Sequence, residues 1–429
     1  MKVIRYPERN SWQELIQRPE LELSDLETQV EEIIERVSRE GDQAVLEYTR
    51  RFDGVELNSL EVSKEEIRAS SSRVDRSLKD AIDEAHGNIR AFHSSQIQSS
   101  KPVETGKGIT CWQKLVPVQG VGLYIPGGSA PLFSTVLMLG VPAKLAGCPS
   151  VVLCTPPDSE GNIPPSILYV ARLLGLDRVF RVGGAQAIAA LACGTETIPR
   201  VDKIFGPGNQ YVTMAKQVVS RDRVAIDMPA GPSELAVLAD EGSDPAYVAS
   251  DLLSQAEHGP DSQVILVTGA EELIHQVEAQ LDIQLAGLPR KDVATRALKQ
   301  SRAILLKDER EMVDFINLYA PEHLSIVTRN YHRLSEQILH AGSVFLGPYT
   351  PESAGDYASG TNHTLPTNGW ARVYSGVNMD SFYKKITFQE ISREGLAGLG
   401  KTIMSMAEAE ELIAHSNAVA IRLKPPGDE

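Results

Sequence analysis

Apolar and polar positions in the N-terminal quarter of the chain recur at helical spacing. Leu26, Val30, Ile33, Ile34 and Val37 fall on one face, with Ser24 and Glu27 placed as a capping box ahead of them and Gly41 as the stop. Leu78, Ile82, Ala85, Ile89 and Phe92 step alternately by four and by three, a second amphipathic stripe. Both are expected to be helices facing a core.

Beyond about residue 116 the texture changes to short apolar runs that end in Gly or Pro and lead into helical stretches, the rhythm of an α/β fold. Strands are expected at 121–125, 151–154, 179–182 and 201–205. A second series is expected at 235–238, 264–267, 303–306, 324–327 and 344–346. Two parallel sheets of similar build are the economical interpretation. A turn-rich stretch, GPYTPESAGDYASGTNHTLPTNG, follows at 347–369, and a loop of that length in a compact domain tends to carry function. From about residue 386 the chain is expected to return to helix, with Ile403, Met406, Leu412 and Ile413 among acidic residues.

Composition narrows the function classes. At 429 residues with 42% hydrophobic positions, the chain can bury a large core in two or three units. Lys plus Arg is 42 against 57 for Asp plus Glu, a net charge of −15 that repels phosphate backbones and anionic bilayers, so neither nucleic acid nor membrane is an expected partner. The four cysteines, Cys111, Cys148, Cys154 and Cys193, form no C-x-x-C pair, which argues against a disulfide framework or thiolate zinc cluster and for a reducing cytoplasm. No run is long and apolar enough for secretion or membrane insertion.

Gly395, Gly400, Lys401 and Thr402 in GLAGLGKT match a phosphate-binding loop, but the preceding FQEISRE is no buried strand, so the context is wrong. The dinucleotide fingerprint G-x-G-x-x-G fails as well, because Ile125 stands where its third glycine belongs. Three other glycine-rich turns leave the carboxyl ends of expected strands: Pro126-Gly127-Gly128-Ser129, Gly183-Gly184-Ala185-Gln186 and Gly206-Pro207-Gly208-Asn209. Each alone is ordinary turn chemistry. Together, with Tyr124, Gln186 and Asn209 beside them, they point to a cofactor cleft.

In LLSQAEHGPDS, Gln255 and His258 are three apart on a helix that Gly259 ends, so both side chains can face one centre. Amide oxygen and imidazole suit a divalent metal, though two such residues fall short of a site. A carboxylate and another imidazole are wanted, and Asp356 and His415 could supply them. Glu322-His323 in YAPEHLS offers two groups able to move protons near neutral pH; the same residues also fit a solvated helix-to-strand connection. His86, His93, His275, His332 and His340 lie in polar helical surroundings and receive no role, and His363 stays open. The cysteines invite thiol-based aldehyde oxidation, but Cys148 and Cys154 bracket an expected buried strand and Cys193 ends an Ala-rich helix, which favours packing.

The runs VGLYIPGGSAPLFSTVLML, VGGAQAIAALACGTE, DKIFGPGNQYV, AIDMPAGPSE, ASDLLSQAEHGPDSQVILVT, APEHL and AGSVFLGPYTPESAGDYASGTNHTLPT closely resemble the histidinol dehydrogenase family, in order, over roughly residues 20–425. The resemblance implies oxidation of L-histidinol to L-histidine through L-histidinaldehyde with NAD, the last steps of histidine biosynthesis, by a zinc-containing cytoplasmic homodimer. By matching motif it implies zinc ligands Gln255, His258, Asp356 and His415, the last from the other subunit. It also implies catalytic Glu322 and His323, NAD contacts at Tyr124, Gln186 and Asn209, and substrate contacts from Ser233, Glu410, His323 and the zinc ligands.

The implied architecture is two incomplete Rossmann-like parallel-sheet domains, one inserted in the other, with helical terminal segments and a C-terminal tail. Residues 1–24 and 378–389 would form a small terminal domain, and 25–123 with 235–377 the α/β domain that bears zinc and catalytic residues. Residues 124–234 would be the inserted NAD side, and 390–429 a tail crossing to the partner. Two other classes stand beside this reading: a zinc hydrolase with Glu322 activating metal-bound water, which the glycine turns disfavour, and a P-loop nucleotide-binding module.

Overall fold

The computed structural model describes residues 1–18, 24–98, 101–127, 131–229 and 231–424. Contacts divide the chain into two units: Met1–Gln96 with Val118–Phe382, and Ile97–Pro117 with Tyr383–Glu429.

The larger unit holds two all-parallel sheets. The first has six strands in the order Lys2–Arg5, Arg302–Leu305, Gln263–Thr268, Glu234–Ala239, His323–Ile326 and Ser343–Leu346. The second has five, ordered Arg178–Arg181, Ser150–Thr155, Gly120–Tyr124, Lys203–Phe205 and Ala225–Ile226. All nine expected strands are present, shifted by a residue or two at their ends. Helices cover both faces of the six-stranded sheet. Leu235, Val237 and Ala239 enter one core while Ala236 and Leu238 enter the other, which is why the strand reads as an unbroken apolar run instead of an alternating one.

The stripe beginning at Leu26 lies on the helix Ser24–Glu40, and Gly41 follows it at φ +57°; the Ser24 side chain of the expected capping box lies outside the described residues. The second stripe lies on Arg76–Ser94, but it ends on His93 instead of Phe92. Four residues past Ile89 is the better match to a 3.6-residue turn, so His93 is fully buried and Phe92 is 44% exposed. His93 is therefore a core residue with both ring nitrogens engaged, Nδ1 on the Ile89 carbonyl at 2.8 Å and Nε2 beside the Asn362 amide at 3.3 Å.

Hydrophobic rhythm failed to reveal the edge strand Lys2–Arg5, whose KVIR is too short to show a period. It also missed the three-stranded antiparallel sheet of the smaller unit, ordered Tyr383–Ile391, Ile109–Pro117 and Val103–Gly106. Instead of returning to helix at once, the tail first forms Tyr383–Ile391, then the helices Arg393–Ala409 and Ile413–Leu423. Ser392 caps the first of these by accepting from the Gly395 N–H at 3.1 Å. Gly395, Lys401 and Thr402 thus sit inside a helix, and no loop is available to wrap a phosphate. Among the described residues no helix is long and apolar enough to cross a membrane.

Candidate active site

Pro126 and Gly127 of the first glycine turn and the two turns at 183–186 and 206–209 lie at the carboxyl edge of the five-stranded sheet, and Tyr124, Gln186 and Asn209 line one cleft there of about 770 Å3. Gly206 stands at φ +125°, where an added Cβ would fall 2.0 Å from the Tyr124 carbonyl oxygen, so only glycine fits the turn. A buried ion pair pins the turn in place. Lys216 Nζ donates to the Gly206 carbonyl at 2.8 Å, while Asp227 accepts from the Gly206 N–H at 2.8 Å and pairs with Lys216 at 2.5 Å.

The Tyr124 hydroxyl accepts from the Gly184 N–H at 3.1 Å. Asn209 caps a helix, its Oδ1 accepting from Tyr211 and Val212 at 3.0 and 3.1 Å. Gln186 is only 1% exposed, yet its amide nitrogen and oxygen both lack partners. Burying an amide unpaired is costly, so the pair of atoms is set up for a guest in the cleft. Asp53, which sequence patterning did not single out, lines the same cleft with a buried, unpartnered Oδ2, and burial pushes its pKa up to about 6. Gly128 and Ser129 of the first turn lie outside the described residues.

The second cluster forms at the amino edge of the six-stranded sheet. The helix Glu309–Tyr319 ends at Ala320 in the left-handed region, Pro321 follows, and the strand opens at His323. Glu322 and His323 are 6% and 4% exposed, so they form no solvated connection. His323 Nδ1 donates to the Glu234 carbonyl at 3.1 Å, because a carbonyl can only accept; Nε2 is left without a partner, 3.6 Å from Asp356 Oδ1. Glu322 Oε2 accepts from the Glu234 N–H at 2.8 Å.

Asp356 comes from the helix Glu352–Tyr357 within the long turn-rich stretch. That helix also delivers Glu352, a residue that spacing did not reveal. Its carboxyl is 1% exposed, accepts from Ser254 Oγ at 3.1 Å and lies 3.8 Å from His323 Nδ1. His258, Glu352 and Asp356 place ligand atoms within 4.8 Å of one another. Gln255 is fully buried at the end of the helix Pro245–Ala256, with both amide atoms unpartnered. Imidazole, carboxylates and an orphaned buried amide are a donor set that fits a divalent cation. His363 now has a place: its Nδ1 faces the Asp356 carbonyl at 2.8 Å and its Nε2 the Thr135 hydroxyl at 3.1 Å.

Burial and charge compete in this cluster. Burial alone depresses the His323 imidazolium, but Glu322, Glu352 and Asp356 outweigh it and hold the ring's pKa well above the usual histidine range. For Glu322 burial wins over His323 and the Glu234 N–H, and its pKa is raised. Burial lifts Glu352 to about 8 against the pull of His323. Asp356 goes the other way: burial would raise it, yet the nearby positive charge of His323, helped by His363 and His258, keeps it below the ordinary carboxylate value. One cluster thus contains carboxyls poised to hold a proton and another poised to stay charged.

Ser233 precedes the strand Glu234–Ala239 and accepts from the Gln263 N–H at 3.1 Å through its carbonyl. Glu410 and His415 belong to the smaller unit, where both are exposed, at the end of Arg393–Ala409 and within Ile413–Leu423. All four cysteines are free. Burial raises the thiols of Cys148, to about 11, and Cys154, which makes them poor nucleophiles and supports packing over thiol chemistry.

The family model described as histidinol dehydrogenase matches residues 16–423. The chain belongs to the histidinol dehydrogenase family. It is therefore an enzyme, an oxidoreductase of histidine biosynthesis. A histidinol dehydrogenase of Bacteroides thetaiotaomicron is 57% identical over 423 residues, covering 99% of both chains. That of Escherichia coli is 54% identical over 413 residues, 96% of this chain and 94% of the relative. The crystal structure of histidinol dehydrogenase from Elizabethkingia anophelis superposes with a TM-score of 0.96 at 53% identity, covering 99% of this chain and 98% of that one.

Proposed function

We propose that this protein oxidises L-histidinol to L-histidine through L-histidinaldehyde in the cytoplasm, consuming two NAD and one water. The observation that carries this reading is the buried Glu322–His323 pair beside an unpartnered Gln255 and the His258–Glu352–Asp356 group, in a chain of this family.

In the first oxidation His323 Nε2, the nitrogen left open by the Glu234 carbonyl, takes the hydroxyl proton as hydride leaves the carbinol carbon. Glu322 then takes a proton from the water that adds to the aldehyde carbon; its raised pKa brings a carboxylate base closer to neutral pH. His323 accepts the hydroxyl proton of the resulting hydrate as the second hydride departs, and the acid remains. NAD, the hydride acceptor in both steps, would be held by Tyr124, Gln186 and Asn209 in the cleft they line.

Zinc would be held by Gln255, His258, Asp356 and the partner's His415; when bound it supplies orientation, gripping the substrate's imidazole and amine and offsetting the carboxylate charge that raises His323. Ser233 and Glu410 would add substrate contacts. The tail that carries Glu410 and His415 would complete the site of a second subunit in a homodimer. Closure of such a site limits escape of the aldehyde.

Purified, zinc-loaded protein given L-histidinol and NAD is expected to form two NADH per histidine. Absence of NADH under those conditions overturns the reading. For the shared site, mixed His323→Ala and His415→Ala subunits are expected to regain part of the activity after exchange; no complementation would mean self-contained sites.

A further inference from the structure

Both proton-moving groups are held by the main chain of one residue. Glu234 offers its N–H to Glu322 Oε2 at 2.8 Å and its carbonyl to His323 Nδ1 at 3.1 Å. The carbonyl contact fixes the tautomer, so Nε2 is the nitrogen that can take a proton. Whatever orients Glu234 therefore orients both groups at once.

Its side chain is clamped on three sides. Arg18 donates through Nε at 3.0 Å and through Nη2 at 2.8 Å, and the Asn368 N–H donates at 2.6 Å. Arg18 and Glu234 side chains are 9% and 2% exposed. Arg18 also donates to the carbonyls of Tyr319 at 2.8 Å and Ile16 at 3.1 Å, and its guanidinium stacks 3.8 Å from the Tyr319 ring. The clamp thereby joins the end of the helix Glu309–Tyr319, three residues before Glu322, to the start of the strand Glu234–Ala239. Buried ion pairs of this kind add little net stability over well-packed apolar residues, so stability alone gives no reason for one here. A planar fork against a carboxylate does give geometric precision.

We infer that Arg18 and Glu234 are positioning residues that fix the Glu234 main chain, and through it the tautomer of His323 and the orientation of Glu322. The inference rests on the proposed roles of those two groups. The test is the double variant Arg18→Met/Glu234→Met, which removes the pair without leaving a lone buried charge. Expected are a folded protein with unchanged zinc content, KM values for histidinol and NAD within about twofold of the parent, and kcat lower by about ten- to a hundredfold, the cost of a small misplacement. In zinc-loaded, 15N-histidine-labelled protein at a pH where the parent's His323 ring is neutral, the variant is expected to lose the pure Nδ1–H signature of that ring. Where the double variant does not fold, Arg18→Lys keeps the charge but not the fork, and is read in the same way.

A folded variant with parental kcat and an unchanged His323 tautomer overturns the inference. A parent that does not oxidise histidinol overturns the proposed function instead; the tautomer signature then decides this inference alone, loss in the variant supporting it and retention overturning it.

Discussion

The two parallel sheets are built alike and used at opposite edges. The five-stranded sheet presents its turns where strands end, after Gly120–Tyr124, Arg178–Arg181 and Lys203–Phe205. The six-stranded sheet gathers its charged cluster where strands begin, at Glu234 and Glu322–His323. In a parallel α/β unit the helices run back against the strands. The carboxyl edge therefore carries helix N-termini, with their free N–H groups and positive dipole ends, and the amino edge carries helix C-termini and negative ends. Helices begin at Gly184 and Gln210 beside the cleft, whereas Pro245–Ala256 and Glu309–Tyr319 finish beside Gln255 and Glu322. One edge suits an anionic cofactor and the other a cation, and the same architecture supplies both.

The sharpest way to test that division is to damage only the amino edge. His323→Ala is expected to lower turnover about a thousandfold, the range for loss of a positioned base, and Asp356→Ala by about a hundredfold or more, through loss of the metal that orients the substrate. Calorimetric titration should find NAD affinity unchanged in both, and metal analysis should find zinc lost from Asp356→Ala alone. A large loss of NAD affinity in either variant would merge the two edges into one site.

Damage to the carboxyl edge should look different. Gln186→Leu removes an amide with no protein partner, so only guest binding should suffer: the KM for NAD rises about tenfold, one neutral hydrogen bond at its upper range, with kcat and the KM for histidinol held. Steady-state kinetics in both substrates reads this directly, and a fall in kcat alone would contradict it.

The smallest effect concerns Asp53. Its folded pKa of about 6 lies above the unfolded value of 3.8. Its contribution to stability is therefore present below about pH 4 and lost as pH rises through about 6. Asp53→Asn should melt like the parent at pH 4. At pH 8 it should be more stable by about 1–2 kcal/mol, the shift discounted for partial solvent access. Equal melting at both pH values would show that the carboxylate is well solvated.

The sheets were legible because buried parallel strands are continuous apolar runs, as in Leu235 to Ala239, and such runs bounded by turn residues need no distant information. Glycine turns were legible for the same local reason. Charge and burial were not. Glu322–His323 reads equally well as a solvated connection, and only tertiary packing, with Glu234 on the paired strand and Glu352 on a helix of the long turn-rich stretch, removes the water. Glu352 sits four positions before Asp356, one helical turn, but a stretch rich in Gly, Ser and Thr gives no sign that it folds into a helix. Arg18 lies over two hundred positions from Glu234 in sequence, so nothing local announces their pairing.

The edge strand Lys2–Arg5 pairs with Arg302–Leu305, joining segments 300 positions apart along the chain. On the ribosome, the five-stranded sheet has all its strands by Ile226, while the six-stranded sheet must wait for Ser343–Leu346. Synthesis at roughly 5–20 residues per second leaves the N-terminal strand unpaired for on the order of ten seconds or more, an interval in which nascent chains depend on holding factors and crowded expression favours misassembly. Slower translation or a chaperone-rich host should raise the yield of folded protein more than any single substitution in its core.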